Sequence, residues 1–486
     1  MQLNDTGLLR QAALIGGEWV SARAGPALDV RDPATGDIVG AVPDCDAVQT
    51  QAAIDAAQAT FASWRAMTAG ERCDLLERWY ALVLAHADDI AAIMTAEQGK
   101  PLAEALGEVK YAASFIKWFA AEGRRVSGHT IPSPERDRRI VVFQEPVGVS
   151  AAITPWNFPA AMITRKCAPA LAAGCPVVIK PSELTPFTAL ALGELAQRAG
   201  FPAGVINIVT GMPAVIGATI TASPLVRKLS FTGSTRVGAL LLEQCAATVK
   251  RTSMELGGNA PLIVFADADL DLAVKAAMAS KFRNAGQTCV CANRIFVANA
   301  VYDAFAQKLG AAVSALNVAA GNDPASTTGP LINAAAVDKV AAHVEDALAK
   351  GGRVLARAQG REDGQFVRPL IIGDATPDMR LSSEETFGPL APLFRFDTEA
   401  EAITMANATP YGLASYFYTR DLSRAFRVAE ALETGMVALN TGSIAMEMAP
   451  FGGVKQSGLG REGGLTGIAE YLEHKAFHIG GLELEA

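Results

Sequence analysis

Several features that would narrow the function of this chain are missing from its sequence. No stretch approaches the ~18 uninterrupted apolar residues of a membrane-spanning helix, and the start of the chain lacks the pattern of a signal peptide. The 7 cysteines are odd in number and suggest no paired framework, and together with 5 histidines they give no zinc-ligand spacing. We therefore expect a cytoplasmic protein that has no structural disulfides and no metal site.

The charge pattern of a nucleic-acid-binding protein is also missing. The net charge is −8, acidic and basic residues are interspersed, and there is no basic block, so phosphate backbones would be repelled. We expect neither a nucleic-acid nor a membrane partner, and an anionic small molecule would have to be bound by local arginines. Since 50% of the 486 residues are hydrophobic, the chain can bury the cores of two or three domains.

Hydrophobic patterning predicts an α/β protein. The chain up to about Arg125 is typical of a short β entry followed by long helices. From Gly148 onward, the strand candidates VGVSAAITP, CPVVIKP, VINIVT and KLSFTG alternate with helices, two of which are expected to end at Gly174 and Gly200. Strands separated by helices predict a parallel, doubly wound sheet. After Gly258, a second set of apolar segments predicts a second α/β domain: PLIVFAD, RIFVAN, APLFRF, SYFYTR and GMVALN.

Two further strand candidates lie outside these sets. Residues 137–145 include the β-branched run IVVFQ, and the tail contains EYLEHKAFHIG, which has no obvious local partner. The tail can pair either with the 137–145 strand or with another subunit.

The segment FRNAGQTCVCANR places Cys289 on a turn of small residues, where the backbone can approach a ligand closely. A thiolate at such a place is a strong nucleophile. The alternative is a buried cysteine that acts as a small hydrophobe. Cys291, two residues further on, is either a packing residue or a second thiol that can form a reversible disulfide with Cys289.

Two polar residues follow strand candidates. Glu255, in MELGGN, ends an apolar strand and precedes two glycines, which suits a cleft between domains; the alternative is a helix-capping or salt-bridged glutamate. Asn157, in ITPWNFPAAM, lies between a strand and a helix, and its amide can donate to a developing oxyanion. Its alternative role is that of a helix N-cap.

Dinucleotide binding is indicated by two weaker signals. In FTGSTRVG, Gly233 and Gly238 flank the start of a helix, where backbone N–H groups and the helix dipole suit a pyrophosphate; a plain strand–helix turn is the alternative. Lys180 and Glu183 follow a strand end, where a carboxylate can accept from ribose hydroxyls; the alternative is a pair of solvated turn residues.

Taken together, the chain resembles the aldehyde dehydrogenase superfamily over almost its whole length, because seven motifs occur in that family's order and spacing. They are PWNFP, KPSE, FTGS, ELGGN, GQTC, EETFGP and PFGGVKQSGLGRE. Within the superfamily, FRNAGQTCVCANR, PAAMITRKCAPALAAGC and ETFGPLAPLFRF are most similar to the succinate-semialdehyde dehydrogenase subgroup.

The resemblance implies a role for each matching residue. Cys289 matches the nucleophile and Glu255 the general base, while Asn157 and the backbone N–H of Cys289 match the oxyanion hole. Lys166 and Glu462 match a pair proposed to relay protons from the base. Residues that match the NAD(P)-binding positions are Thr154, Pro155, Trp156, Lys180, Ser182, Glu183, Gly233, Ser234, Gly257, Glu385 and Phe387.

The resemblance also implies an acid-tailed substrate. Arg165 and Arg283 match two arginines that hold the distal carboxylate in the subgroup; ordinary salt bridges are the alternative. The subgroup usually has a serine near Ala445 or Met446, whereas this chain has only Ser443, two residues early, as the substitute. We expect succinate semialdehyde as the substrate, with glutarate semialdehyde or 3-sulfolactaldehyde as alternatives. A broad-range aldehyde dehydrogenase is a further alternative.

The family fold implies three parts and an active-site segment. We expect an NAD-binding domain at 1–125 and 146–257, a catalytic domain at 258–440, a β oligomerisation flap at 126–145 and 465–486, and an active-site loop at 441–464 that returns to the NAD-binding side. The family implies a homodimer or homotetramer.

Cofactor choice and reaction class follow from single residues. Glu183 would repel a 2′-phosphate, so NAD is favoured and NADP is possible. A phosphorylating or CoA-acylating relative would generally lack the base at Glu255, and a non-catalytic structural relative would not need Cys289 and Asn157 as well.

Overall fold

The computed structural model describes residues 1–22 and 26–483. Residues 23–25, inside the predicted NAD-binding segment, and 484–486, at the end of the predicted flap segment, lie outside the described residues. The helices are α1 (Ala47–Ala66), α2 (Ala69–Ala85), α3 (Ala87–Gln98), α4 (Leu102–Glu122), α5 (Ala161–Ala173), α6 (Pro186–Ala199), α7 (Pro213–Ala222), α8 (Thr235–Ala246), α9 (Leu270–Lys281), α10 (Tyr302–Ser314), α11 (Ala334–Ala349), α12 (Arg380–Ser383), α13 (Glu399–Asn407), α14 (Leu422–Ala431) and α15 (Gly464–Ala469).

The strands are short. They are β1 (Ala13–Ile15), β2 (Glu18–Val20), β3 (Ala27–Arg31), β4 (Ile38–Pro43), β5 (His129–Ile131), β6 (Arg139–Pro146), β7 (Val149–Ile153), β8 (Val177–Lys180), β9 (Ile206–Ile208), β10 (Val226–Thr232), β11 (Arg251–Glu255), β12 (Ala260–Val264), β13 (Ala292–Ala298), β14 (Asn317–Val318), β15 (Arg353–Arg357), β16 (Gln359–Gly360), β17 (Leu370–Gly373), β18 (Leu390–Phe396), β19 (Ala414–Tyr418), β20 (Met436–Leu439), β21 (Gly458–Leu459) and β22 (Leu472–Ile479).

The first sheet has the order β2-β1-β9-β8-β7-β10-β11-β21. Its five central strands, from β9 to β11, are parallel, as the alternating pattern predicts. Val177 and Ile179 pack into one hydrophobic cluster and Val178 into another. Because both faces are covered by helices, these strands are apolar throughout instead of alternating with polar residues.

The second sheet has the order β15-β17-β18-β13-β12-β19-β20, and all its neighbours are parallel except β15. Leu262 and Val264 enter one cluster and Ile263 the opposite one, so this sheet too is covered on both faces. The chain passes from the first sheet to the second between Glu255 and Ala260, and β21 returns it to the first sheet.

A third sheet, β22-β6-β5, is antiparallel. The tail strand β22 pairs along its whole length with β6, from Leu472 opposite Pro146 to Ile479 opposite Arg139. Of the two partners considered for the tail, the one within the chain is therefore confirmed. The expected domain boundaries stay a prediction, although the strands group into sheets along the same lines. Across 1–22 and 26–483, no helix combines the length and the apolar character that a membrane crossing requires.

Candidate active site

A cavity of about 360 Å³ opens where strands β7, β10 and β11 of the first sheet end against loops of the second. Ligands of open α/β sheets bind at such carboxyl ends. Nine residues that the sequence singled out line it: Pro155, Trp156, Asn157, Gly233, Ser234, Gly257, Cys289, Glu385 and Phe387. The remaining lining residues are Met162, Thr232, Leu256, Ala335, Ala336, Lys339 and Thr386.

Cys289 lies on a loop whose backbone packs closely against two other backbone segments. A Cβ at Gly258 would lie 2.3 Å from the carbonyl oxygen of Cys289, and one at Gly286 would lie 2.3 Å from that of Gly388, so both positions need glycine. The Cys289 side chain is partly accessible and lines the cavity, unlike the six other cysteines, which are buried. Burial raises the pKa of its thiol to about 12, although Arg165 opposes this rise. To act as the nucleophile, the Cys289 thiol would therefore have to lose a proton first.

Asn157 does not cap a helix. Helix α5 begins at Ala161 with Ala160 at its N-cap, and the amide of Asn157 donates from Nδ2 to the carbonyl of Gln287 at 3.0 Å. The carbonyl of Asn157 accepts from Lys100 Nζ at 2.8 Å. The helix-cap alternative is therefore wrong, and the amide is aimed at the segment that carries Cys289.

Glu255 is the last residue of β11 and is 2% exposed. Neither carboxylate oxygen has a hydrogen-bond partner among the described residues, so the capping and salt-bridge alternatives are wrong. Burial and the nearby Glu462 raise its pKa well above the ordinary value, while Arg165 and Lys166 oppose the rise. A buried carboxyl group without a partner is the state expected of a general base poised to take a proton.

Lys166 and Arg165, neighbours on α5, both reach Glu462. Lys166 Nζ donates to Glu462 Oε1, and Arg165 Nε lies 2.9 Å from Oε2. Burial favours the protonated acid, but the two cations outweigh it and lower the pKa of Glu462. The structure thus brings together the pair that the sequence proposed as a proton relay, and Arg165 takes part in an ion pair as well.

The residues expected to hold the substrate tail are placed differently from one another. The Arg165 guanidinium is buried, 4.1 Å from the centroid of the Phe451 ring. Arg283 is exposed, and its guanidinium lies 5.1 Å from the centroid of the Phe158 ring. Ser443 is exposed and does not line the cavity.

The cofactor side of the cavity fits a dinucleotide. Ser234 is the N-cap of α8, where backbone N–H groups suit a pyrophosphate. A Cβ on Gly257 would lie 3.0 Å from Glu385 Oε2, so glycine keeps this wall open. The hydroxyls of Thr154 and Thr232 are buried without a partner among the described residues. Unpaired donors beside an open helix N-terminus are what a polar ligand would satisfy.

Glu385 and Phe387 form the opposite wall of the cavity. Glu385 Oε1 accepts from the backbone N–H of Gly258 at 3.0 Å, and burial raises the pKa of the carboxyl to about 7. Phe387 adopts a positive φ of 54° and packs edge-on against Trp156, with 5.6 Å between the ring centroids. The Glu385 carboxylate can accept hydrogen bonds from the hydroxyls of a ribose. The flat rings of Phe387 and Trp156 can pack against an aromatic base.

Lys180 is the last residue of β8, and Glu183 follows the strand three residues later; neither lines the cavity. Lys180 is 2% exposed and donates from Nζ to Glu183 Oε2 at 2.7 Å, so the two are not simply solvated turn residues. Ser182 Oγ accepts from the backbone N–H of Leu184 at 3.2 Å.

Sequence reasoning missed two polar residues. Tyr111, on α4, has a buried hydroxyl with no partner among the described residues; burial raises its pKa, whereas Arg165 and Arg283 lower it. Lys339, on α11, lines the cavity and donates to the backbone carbonyl of Glu385. Neither residue lies in a sequence motif, and neither is close to Cys289 in the sequence, so no pattern indicated them.

Cys291 is buried, with its sulfur 3.3 Å from Lys281 Nζ.

Comparison with known proteins agrees with this geometry. Residues 19–477 match the model of the "Aldehyde dehydrogenase family". The succinate-semialdehyde dehydrogenase [NADP(+)] GabD of Escherichia coli (strain K12) is 60% identical over 99% of this chain and 100% of its own. A glutarate-semialdehyde dehydrogenase of Pseudomonas putida (strain KT2440) is 58% identical over 98% of this chain and 99% of its own. The crystal structure of succinate-semialdehyde dehydrogenase from Burkholderia pseudomallei is 58% identical, covers 99% of this chain and 100% of its own, and has a TM-score of 0.97.

Proposed function

The chain belongs to the aldehyde dehydrogenase family, and from that premise we propose that it oxidises succinate semialdehyde to succinate with NAD(P). One observation carries the proposal. Cys289 opens into the same cavity as Asn157, next to the unpartnered carboxyl of Glu255, and the charges of Arg165 and Arg283 act on the Cys289 thiol. A nucleophile, an oxyanion donor and a base are the parts that this reaction needs.

The reaction proceeds through a covalent adduct on Cys289. The Cys289 thiol loses its proton to solvent through the cavity, and the resulting thiolate attacks the aldehyde carbon. The Asn157 amide and the backbone N–H of Cys289 donate to the oxyanion of the thiohemiacetal. NAD(P), which Ser234 and Glu385 would help to hold, would supply the hydride acceptor that converts the adduct on Cys289 into a thioester. Glu255 then takes a proton from water, whose oxygen attacks the thioester and releases the acid and the free thiol.

The acid tail is recognised by the two arginines. A guanidinium binds a carboxylate with two parallel N–H groups, so both residues favour an anionic tail over a neutral one. Arg165 already faces Glu462, and its buried position fixes the direction of its free N–H groups. Glutarate semialdehyde is the second candidate, because the exposed Ser443 leaves the tail without the hydroxyl that the subgroup usually supplies.

NAD is the favoured cofactor, with NADP accepted less well. The Glu183 carboxylate would accept from a ribose 2′-hydroxyl and repel a 2′-phosphate. Its partner Lys180 offsets part of that repulsion, which leaves room for NADP. Glu183→Ser should lower the ratio of kcat/KM for NAD to kcat/KM for NADP. A wild type that prefers NADP would refute this role of Glu183.

Assembly and location are proposed from the family and the cysteines. All seven cysteines are free, which suits the cytoplasm. The β22-β6-β5 sheet, which carries the exposed aromatic residues Phe143 and Phe477, is the proposed contact in a homodimer or homotetramer.

The purified enzyme tests the proposal. Succinate semialdehyde, glutarate semialdehyde, 3-sulfolactaldehyde and neutral aldehydes of equal length should be compared with NAD and with NADP. We expect the highest kcat/KM for succinate semialdehyde. Cys289→Ala should abolish turnover and keep NAD affinity, while Cys291→Ala, the matched control, should retain turnover. A better neutral substrate would overturn the acid-tail assignment, and an active Cys289→Ala would overturn the mechanism.

A further inference from the structure

The corner between α3 and α4 carries polar side chains that hydrogen-bond to two loops of the active site. We define the corner as residues 98–108. Gln98, Lys100 and Glu108 are buried, and Glu104 is half-buried. Buried polar groups have to be paired, so their partners show what the corner is built to hold.

One set of contacts fixes the loop that carries Asn157. Lys100 Nζ donates to the carbonyl of Asn157 at 2.8 Å and pairs with Glu108. Glu108 Oε1 accepts from the backbone N–H groups of Ala160 and Ala161, at 2.9 and 3.3 Å, where α5 begins. The buried Lys100–Glu108 ion pair therefore hydrogen-bonds to both ends of the segment from Asn157 to Ala161.

A second set fixes the loop that carries Cys289, and it converges on Asn284. Glu104 Oε2 accepts from the backbone N–H of Asn284 at 2.8 Å, and Gln98 Nε2 donates to Asn284 Oδ1 at 3.0 Å. Asn284 has φ 51° and ψ 39°, a left-handed conformation that asparagine and glycine adopt more readily than other residues. The corner thus stabilises an uncommon backbone turn five residues before the nucleophile.

Asn284 joins the two sets. Its Nδ2 donates to the carbonyl of Asn157 at 3.0 Å and to that of Gln287 at 3.3 Å. The side-chain amide of Asn157 donates to that same Gln287 carbonyl at 3.0 Å. Every polar group of Asn284 is occupied, since its own carbonyl accepts from the backbone and side chain of Gln287. The oxyanion donor and the nucleophile loop are therefore linked through one residue that does not line the cavity.

We propose that the 98–108 corner, acting through Asn284, is a positioning device that sets the Asn157 amide relative to Cys289. The inference rests on the proposed function, because it assumes that Asn157 stabilises the oxyanion. Asn284 and Gln98 are positioning residues, and their effect should fall on the acylation step. Misplacing a reacting group by about 1 Å can cost about 10²-fold in rate, so we expect Asn284→Gly to slow acylation roughly tenfold to a hundredfold.

Asn284→Gly is the informative variant because glycine keeps the left-handed backbone while the amide is lost. Ala285→Gly is the matched control: Ala285 has φ 54° in the same turn, and this change adds backbone freedom without removing a hydrogen bond. Gln98→Met removes the donor to Asn284 Oδ1 from outside the turn, and it carries the test if Asn284→Gly does not fold.

The measurements are the first-turnover rate of NADH formation, KM for succinate semialdehyde, and the rate at which iodoacetamide alkylates Cys289. We expect a slower first turnover in Asn284→Gly and, to a lesser degree, in Gln98→Met. KM and alkylation should stay within about twofold of wild type, because alkylation needs the thiol and no oxyanion hole. Ala285→Gly should resemble wild type in all three.

A double-mutant cycle with Asn157→Ala completes the test. Asn157→Ala should slow the first turnover by about 10²–10³-fold, and adding Asn284→Gly should then have little further effect. Fully additive losses, or equal losses in first turnover and alkylation, would overturn the positioning role. If Asn157→Ala itself leaves the first turnover intact, the oxyanion assignment in the proposed function fails instead.

Discussion

The carboxyl group at the end of β11 and the one in the turn before α15 are both buried, yet their proton affinities differ in direction. Glu255 is 2% exposed and Glu462 5% exposed. The pKa of Glu255 is raised well above the ordinary value, whereas that of Glu462 is lowered. Burial alone would raise both.

The difference comes from the partners of each group. Glu462 faces Lys166 and Arg165, whose charges outweigh the cost of burial. Glu255 has no hydrogen-bond partner among the described residues and feels the negative charge of Glu462. Two carboxyl groups whose environments move their pKa values apart suit separate roles, here a base for chemistry and an anion that fixes two cations.

The largest expected effect comes from removing the unpaired carboxyl. Glu255→Gln should lower steady-state turnover by about 10²–10⁴-fold, the usual contribution of general base catalysis. In rapid mixing, NADH should still form in a burst near one equivalent of active sites, after which thioester hydrolysis should stall. Normal turnover at neutral pH would remove Glu255 from the mechanism.

The paired carboxyl should matter more for stability than for the base step. Glu462→Gln leaves two buried cations without their anion, which typically costs about 3–5 kcal/mol. Glu255→Gln removes no pairing and should not lower the free energy of unfolding. Denaturant unfolding of both variants measures this contrast. Equal losses of stability would contradict the claim that Glu462 is stabilised by its cations and Glu255 is not.

The two arginines extend the comparison to the substrate. Arg165→Ala and Arg283→Ala should each raise KM for the acid-tailed aldehyde about ten- to a hundredfold, since a charge-assisted hydrogen bond contributes about 1.5–3 kcal/mol. A neutral aldehyde of equal length should be affected far less. Only Arg165→Ala should also lower the melting temperature, because it takes one cation from Glu462 while Arg283 is exposed. Equal KM losses for both aldehydes would make the arginines structural.

The pH dependence of stability should have opposite signs at the two groups. A folded-state pKa above the ordinary 4.5 means that Glu255 binds its proton more tightly when folded, so its contribution to stability falls as pH rises above about 4.5. Each pH unit between the two pKa values costs about 1.4 kcal/mol. Glu462, with its lowered pKa, should stabilise the fold above its ordinary value of 4.5 and lose this effect as pH falls.

These slopes can be measured as differences. The unfolding free energy of wild type minus that of Glu255→Gln should decrease from about pH 4.5 upward. The corresponding difference for Glu462→Gln should decrease as the pH is lowered below that value. Flat difference curves would contradict the opposed pKa directions.

The smallest expected effect concerns Tyr111, a third buried polar group without a partner among the described residues. If its hydroxyl donates to the carboxylate of the substrate tail, Tyr111→Phe should raise KM for the acid-tailed aldehyde about tenfold, because a hydrogen bond to a charged group contributes at least about 1.5 kcal/mol. Stability should not fall, since no hydrogen bond within the protein is lost. An unchanged KM would leave Tyr111 as a packing residue.

The order of elements followed closely from the sequence. The strands named from apolar segments and the helix ends at Gly174 and Gly200 lie where the patterning predicts, because apolar runs between glycines permit few alternatives. Strands β15 and β17 of the second sheet were not predicted. The partner of the tail strand did not follow, since β22 and β6 are separated by more than half of the chain. Only packing shows which of two possible partners is close enough to pair.

The sequence by itself determined which chemical groups the site contains: a thiol at Cys289, an amide at Asn157 and carboxyl groups at Glu255 and Glu462. The tertiary structure decided the state of each group. Glu462 is paired because cations nearly three hundred residues away in the sequence lie beside it in space. Glu255 has no hydrogen-bond partner among the described residues. The link from Gln98 through Asn284 to Asn157 likewise joins three distant segments. Proton affinity and alignment depend on distances between atoms in space, and a linear pattern of residue types does not specify those distances.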